Sequence, residues 1–294
     1  MRKQSKSMKI AVCQLSPKVG RKEANLSEAR EAITSCASAG AKIIVLPELA
    51  NTGYSFRDIR ELEENAESLN GPSITEWAGL ARALDVVLVA GFAERGHDES
   101  GSVFNSAAIF DPSGLRAVYR KVHLWNVEKT MFASGRAPPA VVDTAHGRLG
   151  VMICYDIEFP EWVRTAGLAG VQLLCCPANW PLCPRPAAER PADIVRVQAS
   201  AATNRIFVAL ADRCGADRGQ DWIGGSVVVD ADGYPCTSIA LGVPGIHVAE
   251  VDLALAVDKK VSEMNDVIAD RRPELYAEVA RPRQPAAACA PAAS

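Results

Sequence analysis

The chain has 294 residues, of which 48% are hydrophobic and 23% charged, and this is enough apolar material for a large core. A formal net charge of −3 gives no basic surface for nucleic acid or anionic lipid, and no apolar run approaches the ~20 residues of a membrane helix. Nine scattered cysteines, an odd number, do not resemble a disulfide framework. We therefore expect a cytoplasmic protein without nucleic-acid or membrane partners.

The N-terminal part predicts alternating strands and helices. Residues 10–15 and 42–46 are short apolar runs typical of buried strands, and residues 25–39 between them carry apolar side chains at helical spacing. This order predicts a βαβ unit, whose ligands gather where the strands end. A helix at 74–84 and a strand at 86–90 continue the alternation.

The middle of the chain breaks this alternation. Residues 106–110 and 115–119 predict two strands joined by the turn Asp111-Pro-Ser-Gly114, which has proline at its second and glycine at its fourth position. A strand that follows a strand is not typical of a simple doubly wound sheet. We therefore expect two sheets packed together.

The C-terminal half repeats these signals. A strand at 149–153 precedes a helix at 161–169, and Pro160 suits the first helical turn. The remaining predictions are strands at 171–176, 206–211, 222–229 and 246–251, helices at 192–204 and near 253–261, and a proline-rich surface loop at 181–191. Residues 1–280 are interpreted as a single domain, and residues 281–294 as a Pro/Ala-rich tail.

Three ionisable residues follow three apolar runs. Glu48 comes after the strand at 42–46, Lys121 after the strand at 115–119, and Cys154 after the strand at 149–153. If those strands are neighbours, their ends converge on one pocket. A cysteine at a strand–helix junction lies near backbone N–H groups that stabilise a thiolate or an oxyanion.

A cysteine nucleophile needs a base. The four histidines are poorly placed in the sequence for this role, whereas a carboxylate serves when a closed apolar pocket raises its pKa. Glu48 is the candidate base. Lys121 then supplies positive charge for a developing oxyanion, together with the N–H after Cys154.

Three segments resemble the signatures of the nitrilase superfamily, the carbon–nitrogen hydrolases of non-peptide amides and nitriles. They are Pro47-Glu48, Tyr119-Arg-Lys121-Val-His-Leu124 and Cys154-Tyr-Asp-Ile-Glu-Phe-Pro-Glu161. Further stretches similar to the family are Asn105-Ser-Ala, Pro177-Ala-Asn-Trp180, Gly224-Gly-Ser226 and Arg271-Arg-Pro-Glu-Leu-Tyr276. The resemblance covers nearly the whole chain.

The resemblance implies a four-layer αββα sandwich that dimerises through its helices. It also implies that Glu48 is the general base, Lys121 the oxyanion-stabilising lysine, Cys154 the nucleophile, and Glu128 a second glutamate that positions the substrate and the lysine. The implied reaction hydrolyses a small carboxamide to an acid and ammonia through a cysteine thioester, with water and without a metal or organic cofactor.

The segment after Cys154 is more similar to amidases and carbamoylases than to nitrile-cleaving members, which typically have Trp-Glu after the cysteine. The expected substrate-binding residues are Tyr54, Trp125, Tyr155, Asn179 and Trp180, and Phe132 is a further candidate wall residue. Trp125-Asn126 stands where many members have Phe-Asp. Arg185, Arg190 and Arg196 are open candidates for contacting a substrate carboxylate. The resemblance also implies an arginine near Asn204 that this sequence lacks, and Arg196 and Arg205 are the two candidates to replace it.

Several alternatives stay open. Within the family they are an N-carbamoyl amino-acid hydrolase, an ω-amidase, a nitrilase, or a glutaminase subunit that delivers ammonia to a synthetase. The alternative that is not an enzyme is an inactive scaffold with the same fold. A zinc or iron–sulfur site is not favoured, because Cys175, Cys176, Cys183 and His123 include no Cys-x-x-Cys or His-x-x-x-His pair.

Overall fold

A computed structural model of the protein describes residues 7–97 and 101–282. The strands are β1 (Met8–Gln14), β2 (Ala41–Val45), β3 (Val87–Arg95), β4 (Val103–Asp111), β5 (Gly114–Arg120), β6 (Ala140–Thr144), β7 (Gly147–Val151), β8 (Leu173–Ala178), β9 (Phe207–Asp212), β10 (Ala216–Asp217), β11 (Gln220–Asp221), β12 (Val227–Val229) and β13 (Gly245–Val251). The α-helices are α1 (Lys22–Ser38), α2 (Ile59–Asn65), α3 (Pro72–Leu84), α4 (Glu128–Met131), α5 (Pro160–Leu168) and α6 (Ala192–Asn204).

The structure contains two large mixed sheets, and each has three parallel strands at its centre. The first has the order β13-β1-β2-β3-β4-β5, and β1, β2 and β3 within it are parallel. The second has the order β12-β9-β8-β7-β6, and β7, β8 and β9 within it are parallel. In each sheet, antiparallel strands flank the parallel centre.

The two sheets pack face to face, and helices cover their outer sides. Ile10 and Val12 of β1 lie in the core shared with the second sheet, whereas Ala11 and Cys13 lie in the core beneath α1 and α3. This alternation follows from the two-residue period of a strand. Helices α5 and α6 pack on the second sheet. The layers are therefore helix, sheet, sheet and helix, which confirms the predicted αββα sandwich.

Two of the predicted elements are wrong in extent. The strand predicted at 222–229 is shorter in the structure and consists of β12, Val227–Val229, alone. Gly224 adopts a positive φ of 61° and interrupts the extended chain. The helix predicted near 253–261 is a single 3₁₀ turn, Leu253–Ala256, because Val257 and Val261 are exposed and supply no buried face.

Five of these helices and strands were not predicted, namely helices α2 and α4 and strands β6, β10 and β11. In α2 only Glu61 and Leu62 are buried, so the apolar pattern is too sparse to indicate a helix. Its start does carry a capping signal, since the Asp58 carboxylate accepts a hydrogen bond from the amide of Glu61.

Short 3₁₀ turns at Pro273–Leu275 and Ala277–Ala280 end the described chain. Residues 283–294 of the predicted tail lie outside the described residues. Among residues 7–97 and 101–282, no helix is long and apolar enough to cross a membrane.

Candidate active site

Glu48 lies three residues beyond β2, where the backbone is held tightly against β3. The amide of Gly91 donates to the carbonyl of Pro47 at 3.2 Å, and the amide of Ala50 donates to the carbonyl of Gly91 at 2.8 Å. A Cβ on Gly91 would come within 2.6 Å of the Glu48 Cα, so glycine is required for this close approach. Backbone packing therefore fixes the fully buried Glu48 in place.

Asn105 of β4 connects Glu48 to Lys121. Its Nδ2 donates to Glu48 Oε1 at 2.6 Å, and its carbonyl accepts from the amide of Lys121 at 2.8 Å. The assumption that the three strands before the candidate residues are neighbours is wrong, since β3 and β4 separate β2 from β5, and β7 lies in the other sheet. Their ends still meet, because β5 runs in the same direction as β2 and the sheets are packed together.

The Lys121 ammonium lies between two buried carboxylates. Its Nζ donates to Glu48 Oε1 at 2.7 Å and to Glu128 Oε1 at 2.8 Å, and all three side chains are at most 1% exposed. Glu128 also accepts from the Tyr54 hydroxyl at 2.6 Å and from the Trp125 amide at 2.9 Å. An ammonium has three donors, so one donor of Lys121 is left for a further acceptor.

Cys154 begins a 3₁₀ turn, Cys154–Glu158, rather than the α-helix itself, which starts at Pro160. Its φ is +48°, a left-handed backbone conformation that is strained for a residue with a side chain. The buried Asp156 carboxylate holds the turn, because it accepts from the Ile153 amide at 3.1 Å and from the Tyr119 hydroxyl at 2.8 Å. The cysteine is 6% exposed.

Burial and neighbouring charges together set the pKa values of these groups. Burial raises the pKa of Glu48 to about 7, although Lys121 acts in the opposite direction. Burial alone would lower the pKa of Lys121, but the carboxylates of Glu128 and Glu48 hold it well above its usual value. Burial, and then Glu48, raise the pKa of the Cys154 thiol. Near pH 7 the thiol is therefore protonated, and only a nearby base makes it a nucleophile.

A cavity of about 210 Å³ contains Cys154. Four of the five predicted substrate-binding residues line it, namely Trp125, Tyr155, Asn179 and Trp180. The Trp125 and Tyr155 rings pack edge to face with centroids 5.0 Å apart. Glu158, Asp193 and Ile223 also line the cavity, and no part in the site was predicted for them.

The other candidates lie elsewhere. Tyr54 does not line this cavity and lies behind Glu128, and Phe132 packs against Phe56 in a separate core cluster. His123 donates its amide to Asp156 and stacks on Phe159 with ring centroids 3.8 Å apart.

Of the candidate arginines, Arg185 and Arg196 line the cavity. Arg190 does not, and it donates to the Gln198 side chain at 2.6 Å instead. Arg205 pairs with Asp232. Asn105 is the hydrogen-bond partner of Glu48 that local sequence patterns did not indicate, because only the resemblance drew attention to it.

No metal-binding cluster exists in the part of the chain that the structure describes, since no three His, Cys, Asp or Glu side chains are grouped to hold an ion. The eight cysteines within that part are free thiols.

A protein family and individual proteins similar to this chain all point to carbon–nitrogen hydrolases. Residues 9–260 match the family described as carbon–nitrogen hydrolase. The chain is 35% identical over 272 residues to a nitrilase from Pyrococcus abyssi, covering 92% of this chain and 99% of that one. It is 33% identical over 273 residues to an (R)-stereoselective amidase from Pseudomonas sp., covering 92% and 94% of the two chains.

The fold matches solved structures as well. An amidase variant from Nesterenkonia sp. AN1, which shows Michael addition of acrylamide at its active-site cysteine, superimposes with a TM-score of 0.75. The two chains are 27% identical, and the match covers 92% of this chain and 99% of the amidase. With this fold and this sequence match, the chain belongs to the nitrilase superfamily of carbon–nitrogen hydrolases, enzymes that act on C–N bonds other than peptide bonds.

Proposed function

We propose that the protein is an amidase that hydrolyses a small carboxamide to a carboxylic acid and ammonia. Cys154 is the nucleophile, Glu48 the general base, and Lys121 the group that stabilises the oxyanion. Glu128 holds the lysine and, through the Trp125 amide, fixes the cavity wall beside it.

One observation carries this proposal: the two oxygens of Glu48 have different environments. Oε1 accepts from both Lys121 and Asn105, whereas the buried Oε2 has no hydrogen-bond partner among the described residues. A buried acceptor without a partner is costly, and this one belongs to a carboxylate that interacts electrostatically with the Cys154 thiol. Oε2 is therefore the atom that we assign to proton transfer.

The reaction begins when Glu48 takes the thiol proton and the sulfur attacks the amide carbon. The resulting oxyanion is held by the free donor of Lys121 and by the Tyr155 amide, which is in the first turn of the 3₁₀ segment and so lacks an acceptor within it. Glu48 then gives its proton to the nitrogen, the C–N bond breaks, and ammonia leaves a thioester on Cys154.

Water completes the cycle. Glu48 removes a proton from a water molecule as it attacks the thioester, the C–S bond breaks, and the proton returns to the thiolate. A pKa of about 7 suits a group that must accept and donate a proton in the same cycle. No step requires a cofactor.

The cavity limits the size of the acyl group. Its volume of about 210 Å³ compares with the ~150 Å³ of an engineered apolar cavity that binds benzene. Trp125, Tyr155, Trp180 and Ile223 supply apolar walls. A small or medium-sized aliphatic or aromatic acyl group is therefore the expected substrate side chain.

The direct experiment measures ammonia release from aliphatic amides, ω-amides, N-carbamoyl amino acids and nitriles, with Cys154→Ala beside the wild type. We expect turnover of simple amides that the variant abolishes. Turnover of nitriles alone, or an active Cys154→Ala variant, would contradict the proposal.

Assembly and location are part of the same proposal. We infer a homodimer formed through α5 and α6, supported by the exposed apolar side chains Leu168 and Val195 on these helices. We infer a reducing cytoplasmic setting from the free thiols, among which Cys13 and Cys36 remain unbonded with their sulfurs 3.6 Å apart. We interpret residues 1–280 as one catalytic domain.

A further inference from the structure

Cys183 is a second thiol in the cavity of Cys154, and the proposed reaction does not use it. Of the eight free cysteines in the described part of the chain, these two line the cavity and the other six do not. Cys183 is exposed, whereas Cys154 is only 6% exposed. The cavity therefore connects the buried nucleophile to a thiol at the surface.

Cys154 is the more reactive sulfur of the two, because it has a base beside it. Glu48 Oε2 is buried without a hydrogen-bond partner among the described residues, and we assign it to the transfer of the thiol proton. A small electrophile that enters the cavity meets the same thiol and the same base. Hydrogen peroxide is such an electrophile, and it oxidises activated cysteines to sulfenic acid.

We propose that Cys183 is the resolving thiol of Cys154, and that a disulfide between them reversibly closes the site when peroxide is present. This inference rests on the proposed function, since it needs Cys154 to be the activated nucleophile. A sulfenic acid that no thiol captures goes on to sulfinic acid, which common reductants do not reduce. Cys183 thus protects the nucleophile from irreversible loss.

The disulfide forms in two steps. Glu48 takes the thiol proton, the Cys154 sulfur attacks one peroxide oxygen, the O–O bond breaks, and the departing hydroxide takes the proton from Glu48 and leaves as water. The sulfur is oxidised to sulfenic acid and the peroxide is reduced. The Cys183 sulfur then attacks the sulfenic sulfur, the S–O bond breaks, and the hydroxide leaves as water with the Cys183 proton.

The loop that carries Cys183 is weakly tied to the rest of the molecule. Leu182 donates its amide to the carbonyl of Asp221 at 2.9 Å, but the hydrogen bonds found for residues 183–189 stay within the loop. Residues 182–190 are all exposed. A segment with few buried contacts opens at low free-energy cost. The loop is therefore the part that moves to bring the two Cβ atoms to the ~3.5–4.5 Å of a disulfide.

Other thiols lie close together but lack this combination of a base and a mobile partner. The sulfurs of Cys13 and Cys36 are 3.6 Å apart, yet both are fully buried and neither lines the cavity. Cys176 lies beside the nucleophile, since the Cys154 amide interacts with its thiol, and burial raises its pKa. Because Cys176 is fully buried within β8 and does not line the cavity, it is the less favoured partner.

The test exposes the enzyme to a small molar excess of hydrogen peroxide, removes the peroxide with catalase, and measures amide turnover before and after dithiothreitol. We expect the wild type to lose its activity and to regain most of it with dithiothreitol. The inactive form should be lighter by two hydrogen atoms, and peptide mapping should place the new disulfide between Cys154 and Cys183. Cys183→Ser should lose activity to the same peroxide without regaining it, each variant being compared with its own initial rate.

Cys236→Ser is the matched control, because Cys236 is an exposed thiol that does not line the cavity. This variant should recover with dithiothreitol as the wild type does. The inference would be overturned by a wild type that resists peroxide or does not recover, by full recovery of Cys183→Ser, or by a disulfide from Cys154 to Cys176 or to a second subunit.

The mass measurement separates this inference from the proposed function, because it needs no substrate. A disulfide between Cys154 and Cys183 in an enzyme that turns over no amide would contradict the amidase proposal alone. Amide turnover that Cys154→Ala abolishes, in an enzyme that forms no such disulfide, would contradict only the role of Cys183.

Discussion

The two sheets each have three parallel strands between antiparallel ones, but they supply different parts of the candidate site. The first sheet supplies Glu48, Asn105 and Lys121, which are fully buried and joined by hydrogen bonds of 2.6–2.7 Å. The second sheet leads into the strained turn of Cys154 and the partly exposed cavity wall. The groups that we assign to proton transfer are thus shielded from bulk solvent, whereas the cavity wall includes partly exposed side chains such as Trp125.

The nucleophile and its proposed base are brought together only because the two sheets pack face to face, since no single sheet contains both. Substitutions on the first sheet should therefore change the pH dependence of the reaction, whereas substitutions in the cavity wall should change the choice of substrate.

The largest effect is expected for Cys154→Ala, which removes the only group that we assign to covalent catalysis. Activity should fall on the order of 10⁶-fold, as for other enzymes that lose their nucleophile. Ammonia release measures it, and Cys236→Ala, at an exposed thiol, is the control that should remain active.

Glu48→Gln should reduce kcat by roughly 10²–10⁴-fold, because it removes the base from both acylation and thioester hydrolysis. In the wild type, kcat/KM should rise with pH and level off above about 7, since Glu48 must be deprotonated to accept the thiol proton. A pH-independent wild-type rate between pH 5 and pH 9 would exclude Glu48 as the base.

Lys121→Met should lower kcat by about 10²–10³-fold through loss of the oxyanion contact. It should also cost about 3–5 kcal/mol of stability, because Glu48 and Glu128 are left buried without their shared cation. Denaturant unfolding and kinetics separate the two effects. Lys129→Met, at an exposed position of α4, should change neither.

Asn105→Ala should have a smaller effect on the rate, and it should also shift the pH–rate profile. The hydrogen bond from Asn105 lowers the pKa of Glu48, so its loss should raise that pKa and move the rising limb of the pH–rate profile to higher pH. At pH 7 less of the base is then deprotonated, and the rate should fall by about tenfold. A lower rate with an unshifted profile would mean that Asn105 only positions the backbone.

The smallest effect on activity is expected far from the cavity. Ile33 is fully buried where α1 covers the outer face of the first sheet, and Ile33→Val should cost about 0.5–1.5 kcal/mol of stability. The kcat of the folded enzyme should not change. A change in the pH profile of this variant would mean that the outer helix layer tunes the buried charges.

Much of this arrangement is predictable from local sequence. The apolar runs that form β1, β2 and β3 and the helical pattern of α3 are strong signals, because buried strands and amphipathic helices have distinct periods. Glu48, Lys121 and Cys154 could be identified because each follows such a strand.

Other features depend on contacts between distant segments, and the sequence alone does not specify them. Asn105 is one polar residue within a buried strand, and its link to Glu48 exists only once β4 lies between β3 and β5. Glu158 and Asp193 face one cavity although they are 35 residues apart. The position of Tyr54 behind Glu128 likewise depends on how a loop folds back.

The central claim is that an acyl group is carried on Cys154 during turnover, and intact-protein mass spectrometry of the quenched reaction tests it most directly. With hexanamide and the slow Glu48→Gln variant, we predict a mass increase equal to one hexanoyl group, located by peptide mapping at Cys154. Turnover without any adduct, or an adduct on another cysteine, would contradict the account.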